Sequence, residues 1–379
     1  MHSSMGNKWS EQESLIDMVA SSILQYELGE LSLKLRQSVR LEHLFALTDH
    51  NAVLQHAKFS VPARREGYTV DDNARALTFA AKAQALWPSR KLSGLQRKLL
   101  AFLLLMQSQD GQLHNLMDFS HRITDQPSVG DHLGRAIWAM GAVINSDLPA
   151  GMKKSAQLVF DRALPWAKRS NSPRTKAYAC LGLAERFCSD LKDSNLAANL
   201  NELAHSLLEC YNYNRSSGWE WFENVLCYDN ARLCQALFVA YQSLGEKAYL
   251  NAAEQSFDFL IKTTTVDATY VPIGSDGWYV KNGKRAVYDQ QPIEAGGMVE
   301  TTSVAYKLTR SRRYETALRQ ALGWFYGVNT KAVTIYDEST GACFDGINQS
   351  GLNENQGSES TLAYLLGATT FIENTDATR

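Results

Sequence analysis

The tetrapeptide Asp72-Asn73-Ala74-Arg75 recurs unchanged as Asp229-Asn230-Ala231-Arg232, each time at the start of a helix-like run and each time after a long polar or aromatic connection. Further helix starts of related character fall at Asp131, Arg174, Pro292 and Gly357, so six such points divide the chain at intervals of roughly 43 to 65 residues. A helical hairpin repeated in this way cannot bury its apolar face alone and has to stack on its neighbours. Six of them predict an all-α chain, one solenoid closed into a ring.

Apolar residues at three- and four-residue intervals predict helices over 11–36, 39–48, 72–87, 93–109, 131–145, 151–169, 174–188, 195–211, 229–243, 246–262, 292–308, 313–327 and 357–371. Proline supports long helices: 8 in 379 residues is about 2%, below the usual level of about 5%. The connections are unequal. Short links such as Trp87–Leu92, Asn145–Ala150 and Arg310–Arg312 contrast with long ones over 110–130, 212–228, 263–291 and 328–356, and loops of that length in a compact domain are usually functional. One of them, Trp278–Tyr288, alternates on both sides of Asn282-Gly283 and predicts a small β-hairpin beside the site. Length alone predicts two to three domains at roughly 150 residues each. The repeat instead groups 39–379 into one toroid domain, with 1–38 as an N-terminal helical extension.

Composition removes several classes of function. Lys+Arg is 38 and Asp+Glu 40, a net charge of −2, which offers no basic surface for nucleic acid. No apolar run approaches the roughly 20 residues of a membrane span, and the first residues lack the long apolar segment of a secretory signal, so a cytoplasmic location is expected. The six cysteines stand singly without a CxxC pair and are expected as reduced structural thiols. Dinucleotide-binding, P-loop and nucleophile-elbow motifs do not occur. No cofactor or metal is expected; His132, with His114 and His121, matches no metal-ligand spacing.

In a ring of this kind the helices that follow long loops are the inner ones, and their N-termini converge on one mouth. Asp71 and Asp72 open the first, where one carboxylate can cap the helix and the other is left for a ligand, with Arg75 and the preceding Tyr68 nearby. Asp131-His132 and Arg135 open the second, at a spacing that allows an intrahelical ion pair. The densest cluster is Trp219-Glu220-Trp221-Phe222-Glu223, ahead of Tyr228-Asp229. Extended backbone there would put Trp219, Trp221 and Glu223 on one face. Indole faces pack against the C–H surface of a sugar, and an acid in apolar surroundings gains the raised pKa of a general acid. Gln290, Gln291, Asn355 and Glu359 add amides and a carboxylate suited to hydroxyls that both donate and accept.

The stretches Leu54–Ala57, Gly67–Leu77, Gly218–Glu223, Tyr228–Arg232 and Asn355–Thr361 resemble a bacterial group within the six-hairpin glycosidase superfamily, one associated with glycosyltransferases and often given their name. The resemblance covers roughly 40–371 and implies the (α/α)6 toroid. It also implies a probe-worthy chemistry, inverting hydrolysis, in which an acid and a base stand about 6.5–9.5 Å apart around a water. The expected function is a glycoside hydrolase for a short neutral oligosaccharide, mannose-containing ones included. Glu223 is the expected acid and Asp72 the expected base, with Asp131, Asp71, Glu220 and Asp229 in reserve. Tyr68, Arg75, His132, Trp219, Trp221, Gln290, Gln291, Asn355 and Glu359 are the expected sugar contacts. Two alternatives stand beside it: a non-catalytic glycan-binding partner of a glycosyltransferase or other glycan enzyme, and a sugar epimerase, which on this fold usually relies on histidines.

Overall fold

The computed structural model describes Ile23 and residues 26–376. Among them are thirteen α-helices: α1 (Leu28–Ser38), α2 (Glu42–Leu47), α3 (Val70–Leu86), α4 (Arg90–Met106), α5 (Asp131–Asn145), α6 (Ala150–Arg169), α7 (Pro173–Ser189), α8 (Ser194–Asn214), α9 (Ala231–Leu244), α10 (Lys247–Thr264), α11 (Pro292–Thr309), α12 (Arg312–Phe325) and α13 (Ser358–Asp376). Each expected segment has its helix; of the first, 11–36, the part before Leu28 lies almost wholly outside the described residues.

Helices α3, α5, α7, α9, α11 and α13 pack in that order, and α13 returns to α3. This closes an inner ring. Helices α4, α6, α8, α10 and α12 back onto it, and α1 packs on α13 in the sixth outer place through buried Leu31 and Leu35. The chain is thus an (α/α)6 toroid. Composition explains which helix goes where. From Pro292 to Ser303 every residue of α11 is buried, as befits a helix enclosed on all sides, whereas α12 buries one stripe, including Tyr314, Leu318 and Leu322, and exposes Arg312 and Arg313.

Small residues set the spacing of the inner ring. A Cβ on Gly141 would lie 2.2 Å from the Gly182 carbonyl oxygen, and one on Gly182 would lie 2.5 Å from that of Ile137, so α5 and α7 approach backbone to backbone. Gly296 meets Ala363 of α13 in the same way. Among the described residues no helix is long and apolar enough to cross a membrane.

Among the described residues, strands occur only as two- and three-residue pairs within the connections. The Asn282 segment does turn, with Asn282 at φ 64° and the Ala286 N–H donating to the Trp278 carbonyl. Its strand Tyr279–Val280, however, pairs with Val225–Leu226 of another loop rather than with residues 285–288. That pairing ties two of the mouth loops together.

Candidate active site

The N-termini of the six inner helices meet at one end of the ring, and their first two turns carry four buried arginines, Arg75, Arg135, Arg174 and Arg232. The repeated tetrapeptide performs one task twice. Asn73 accepts from the Val53 N–H at 2.8 Å and donates to the Val53 and Thr69 carbonyls. Asn230 likewise accepts from the Cys227 N–H and donates to its carbonyl, so each asparagine fastens the incoming loop. Each arginine then pairs with the aspartate three residues before it and with an acid of a neighbouring inner helix: Arg75 with Asp72 at 2.9 Å and Glu359 at 2.7 Å, Arg232 with Asp229 at 3.3 Å and Glu300 at 2.5 Å.

Thr69, not an aspartate, caps α3: its hydroxyl accepts from the Asp72 N–H and donates to Asp72 Oδ2 at 2.7 Å. Asp72 therefore has both oxygens engaged and its side chain is 5% exposed. Burial pushes its carboxyl up, reinforced by Glu359 and Asp71 and opposed by Arg75. Asp71 is different. Its side chain is 26% exposed, with Oδ1 at 2.5 Å from Arg135 and Oδ2 accepting from Asn115 at 3.1 Å. Burial pushes it up, but the charges of Arg135, Arg75 and His132 outweigh this and hold it below the usual carboxylate range.

The expected intrahelical pair between Asp131 and Arg135 does not form. Asp131 accepts from Ser172 at 2.6 Å, from Thr175 at 2.9 Å and from the Tyr228 hydroxyl, while Arg135 reaches Asp71 and stands 3.8 Å from Asp229. Cross-helix partners win because the inner ring brings three helices within reach of each side chain. Asp229 is fully enclosed, at φ 47°, with its carboxylate accepting from the Tyr178 hydroxyl. Glu294 of α11 caps this strained start by accepting from the Asp229 N–H and from the Asn230 amide at 3.0 Å. Burial, with Asp229 alongside, pushes Glu294 up to about 8.

Beside α7, Glu223 is 24% exposed, and its Oε2 lies 2.7 Å from Arg174 of that helix. The guanidiniums of Arg135 and Arg174 lie 5.9 Å and 5.0 Å from the Tyr228 ring centre. Arg135 Nε and Nη2 and Arg174 Nη2 are buried and have no hydrogen-bond partner among the described residues.

Several expected sugar contacts lie elsewhere. Trp219 and Trp221 are buried against Phe259 of α10, and Trp221 also against Phe222, so they form the packed base of their loop instead of an open stacking face. The segment is not a regular strand, which removes the alternation that would have aligned them with Glu223. Glu220 turns away to accept from Tyr211 of α8. Tyr68 is enclosed and donates to Asp49 at 2.5 Å. Gln290 is consumed by Trp324, Val287 and Thr330. Asn355 accepts from the Phe59 N–H, and His132 is buried with Nε2 at 3.0 Å from the Leu113 carbonyl. Gln291 is half-buried as the residue before α11, and Glu359 remains at the mouth, 43% exposed. Arg174 and Tyr178 were not among the expected site residues. The signal for Arg174 was its place in the first two turns of an inner helix, matching Arg75, Arg135 and Arg232. Among the described residues no cluster of three or more His, Cys, Asp and Glu side chains is arranged to hold a metal ion.

No protein-family model matches the chain, and no curated protein sequence matches it. Solved structures do. A cellobiose 2-epimerase from Bacillus thermoamylovorans superposes with a TM-score of 0.72 at 10% identity, over 91% of this chain and 99% of that one. By fold, the chain is a six-hairpin toroid. A D-mannose isomerase matches with a TM-score of 0.68 at 13% identity, over 92% of this chain and 97% of that one. A GH76 alpha-mannanase from Bacteroides thetaiotaomicron matches with a TM-score of 0.61 at 9% identity, over 95% of this toroid and 99% of that chain. At these identities the likeness carries the fold alone.

Proposed function

We propose that the chain is a glycoside hydrolase acting on a short neutral oligosaccharide, with Glu223 and Asp71 as its carboxylate pair and Asp71 as the general base. The observation that carries this reading is a matched pair of partly exposed carboxylates, each anchored by a buried arginine of an inner helix: Asp71 by Arg135 and Glu223 by Arg174. Asp71, held below the usual carboxylate range, is ionised at neutral pH as a base requires. Asp72, enclosed where Asp71 is partly exposed, serves as its structural neighbour. Inversion follows if the two carboxylates hold a water between them. Mannose-containing chains belong in the substrate panel, and a glycosyltransferase working on the same glycan is the proposed partner.

A second reading, epimerisation or isomerisation of a sugar, draws on the TM-scores of 0.72 and 0.68 to an epimerase and an isomerase, against 0.61 to the mannanase. The buried, tethered His132 favours hydrolysis over it. Mass analysis of products from an oligosaccharide panel tests the two: hydrolysis splits the substrate and adds one water, whereas epimerisation leaves the mass unchanged.

A further inference from the structure

Ala57–Lys58 and Val61–Pro62 form a two-stranded hairpin in which Lys58 faces Val61, so Phe59 and Ser60 are its whole loop. Phe59, the first loop residue, has φ 52°. Two-residue hairpin loops fill a left-handed first position with glycine, asparagine or aspartate, and a bulky side chain there is strained. Phe59 is 52% exposed and the Lys58 ammonium stands 4.8 Å from its ring centre, so packing offsets little of the strain. Its backbone is nevertheless held firmly. The Phe59 N–H donates to Asn355 Oδ1 at 3.0 Å, and its carbonyl accepts from the Gln356 N–H at 3.0 Å. Asn355 and Gln356 lead directly into α13, whose first turn carries Glu359, the partner of Arg75. An aromatic ring is thus displayed at an unfavourable backbone position on a support fastened to the mouth of the candidate active site.

We infer that Phe59 is a saccharide-stacking platform at the rim, taking the ring of a sugar unit one or more places beyond those at the Asp71–Glu223 pair. The occupant is a further unit of the same neutral glycan, which presents an apolar C–H face to an aromatic side chain. A hairpin tip of two residues is far too small for the roughly 1,200 Å² of a stable protein interface. This inference rests on the glycan-processing reading above and deepens it: the preferred substrate is longer than a disaccharide.

The test compares the full chain with its Phe59→Gly variant on an immobilised panel of manno-, gluco- and galacto-oligosaccharides from di- to hexasaccharide, followed by calorimetry with the di- and tetrasaccharide of each series retained. Glycine relieves the left-handed strain, so the thermal midpoint of F59G is expected to be unchanged or higher, a result that a packing role would not give. Tetrasaccharide binding is expected to weaken roughly ten-fold while disaccharide binding is unchanged. Equal binding of the tetrasaccharide by both proteins, or a lowered midpoint for F59G, overturns the platform and leaves the hydrolase reading standing. Loss of self-association in F59G, seen by sedimentation, assigns the ring to a contact between copies and also overturns it. Retention of no oligosaccharide by the unaltered chain overturns both.

Discussion

Asp71 of α3 and Arg135 of α5 meet at 2.5 Å across the inner ring, and the same arginine stands 3.8 Å from Asp229 at the start of α9. One buried cation therefore connects three of the six inner helices at the mouth. It leaves Asp71 partly exposed while Asp229 is enclosed, so adjacent parts of one charge network have different uses.

The adjacent aspartates of α3 separate in the same way. Asp72→Asn breaks the ion pair with buried Arg75, and removing one partner of a buried pair is expected to lower stability by about 3 kcal/mol. Asp71→Asn leaves buried Arg135 with Asp229 at 3.8 Å and is expected to lower stability by a comparable amount while also reducing turnover by at least about 10²-fold. Rates of both variants, set beside their urea midpoints, check the split; equal losses of turnover at equal stability would contradict it.

The helical ring was legible because it rests on local signals: apolar periodicity, few prolines, and a tetrapeptide repeated at Asp72 and Asp229. The positions of Asp71, Glu223 and Glu359 at the mouth followed from the same logic. What escaped the sequence depended on partners far along the chain. Trp219 and Trp221 read as an open aromatic face, but Phe259, nearly 40 residues on, covers both. Asp131 and Arg135 sit at a spacing that invites a local pair, yet Tyr228 and Asp71 are better placed for each. Val280 lost its hairpin partner to Val225 for the same reason.

Close approach of α5 and α7 depends on two glycines. Gly182→Ala places a methyl about 2.5 Å from the Ile137 carbonyl oxygen, a backbone atom that cannot yield without separating the helices. The expected loss is about 1–3 kcal/mol or more, read as a lowered urea midpoint. An unchanged midpoint would contradict the packing described for the inner ring.

Glu294 gives the fold a specific pH dependence. Its ordinary value is 4.5 and its folded value about 8, so between those limits the folded chain holds a proton that the unfolded chain has released. Protons bound preferentially by the folded state mean that stability falls as pH rises through this window, by up to about 1.4 kcal/mol per pH unit from this group. Glu294→Gln, which cannot ionise, is expected to flatten the thermal midpoint between pH 5 and about 8. A slope identical to that of the unaltered chain would place the proton elsewhere.

The central claim, hydrolysis by the Asp71–Glu223 pair, is tested most directly by mass spectrometry of the products formed from a neutral oligosaccharide in oxygen-labelled water. The predicted result is two shorter sugars, one carrying a single labelled oxygen, with turnover lost in both Glu223→Gln and Asp71→Asn. A product of the same mass as the substrate, or turnover retained by both variants, would contradict it.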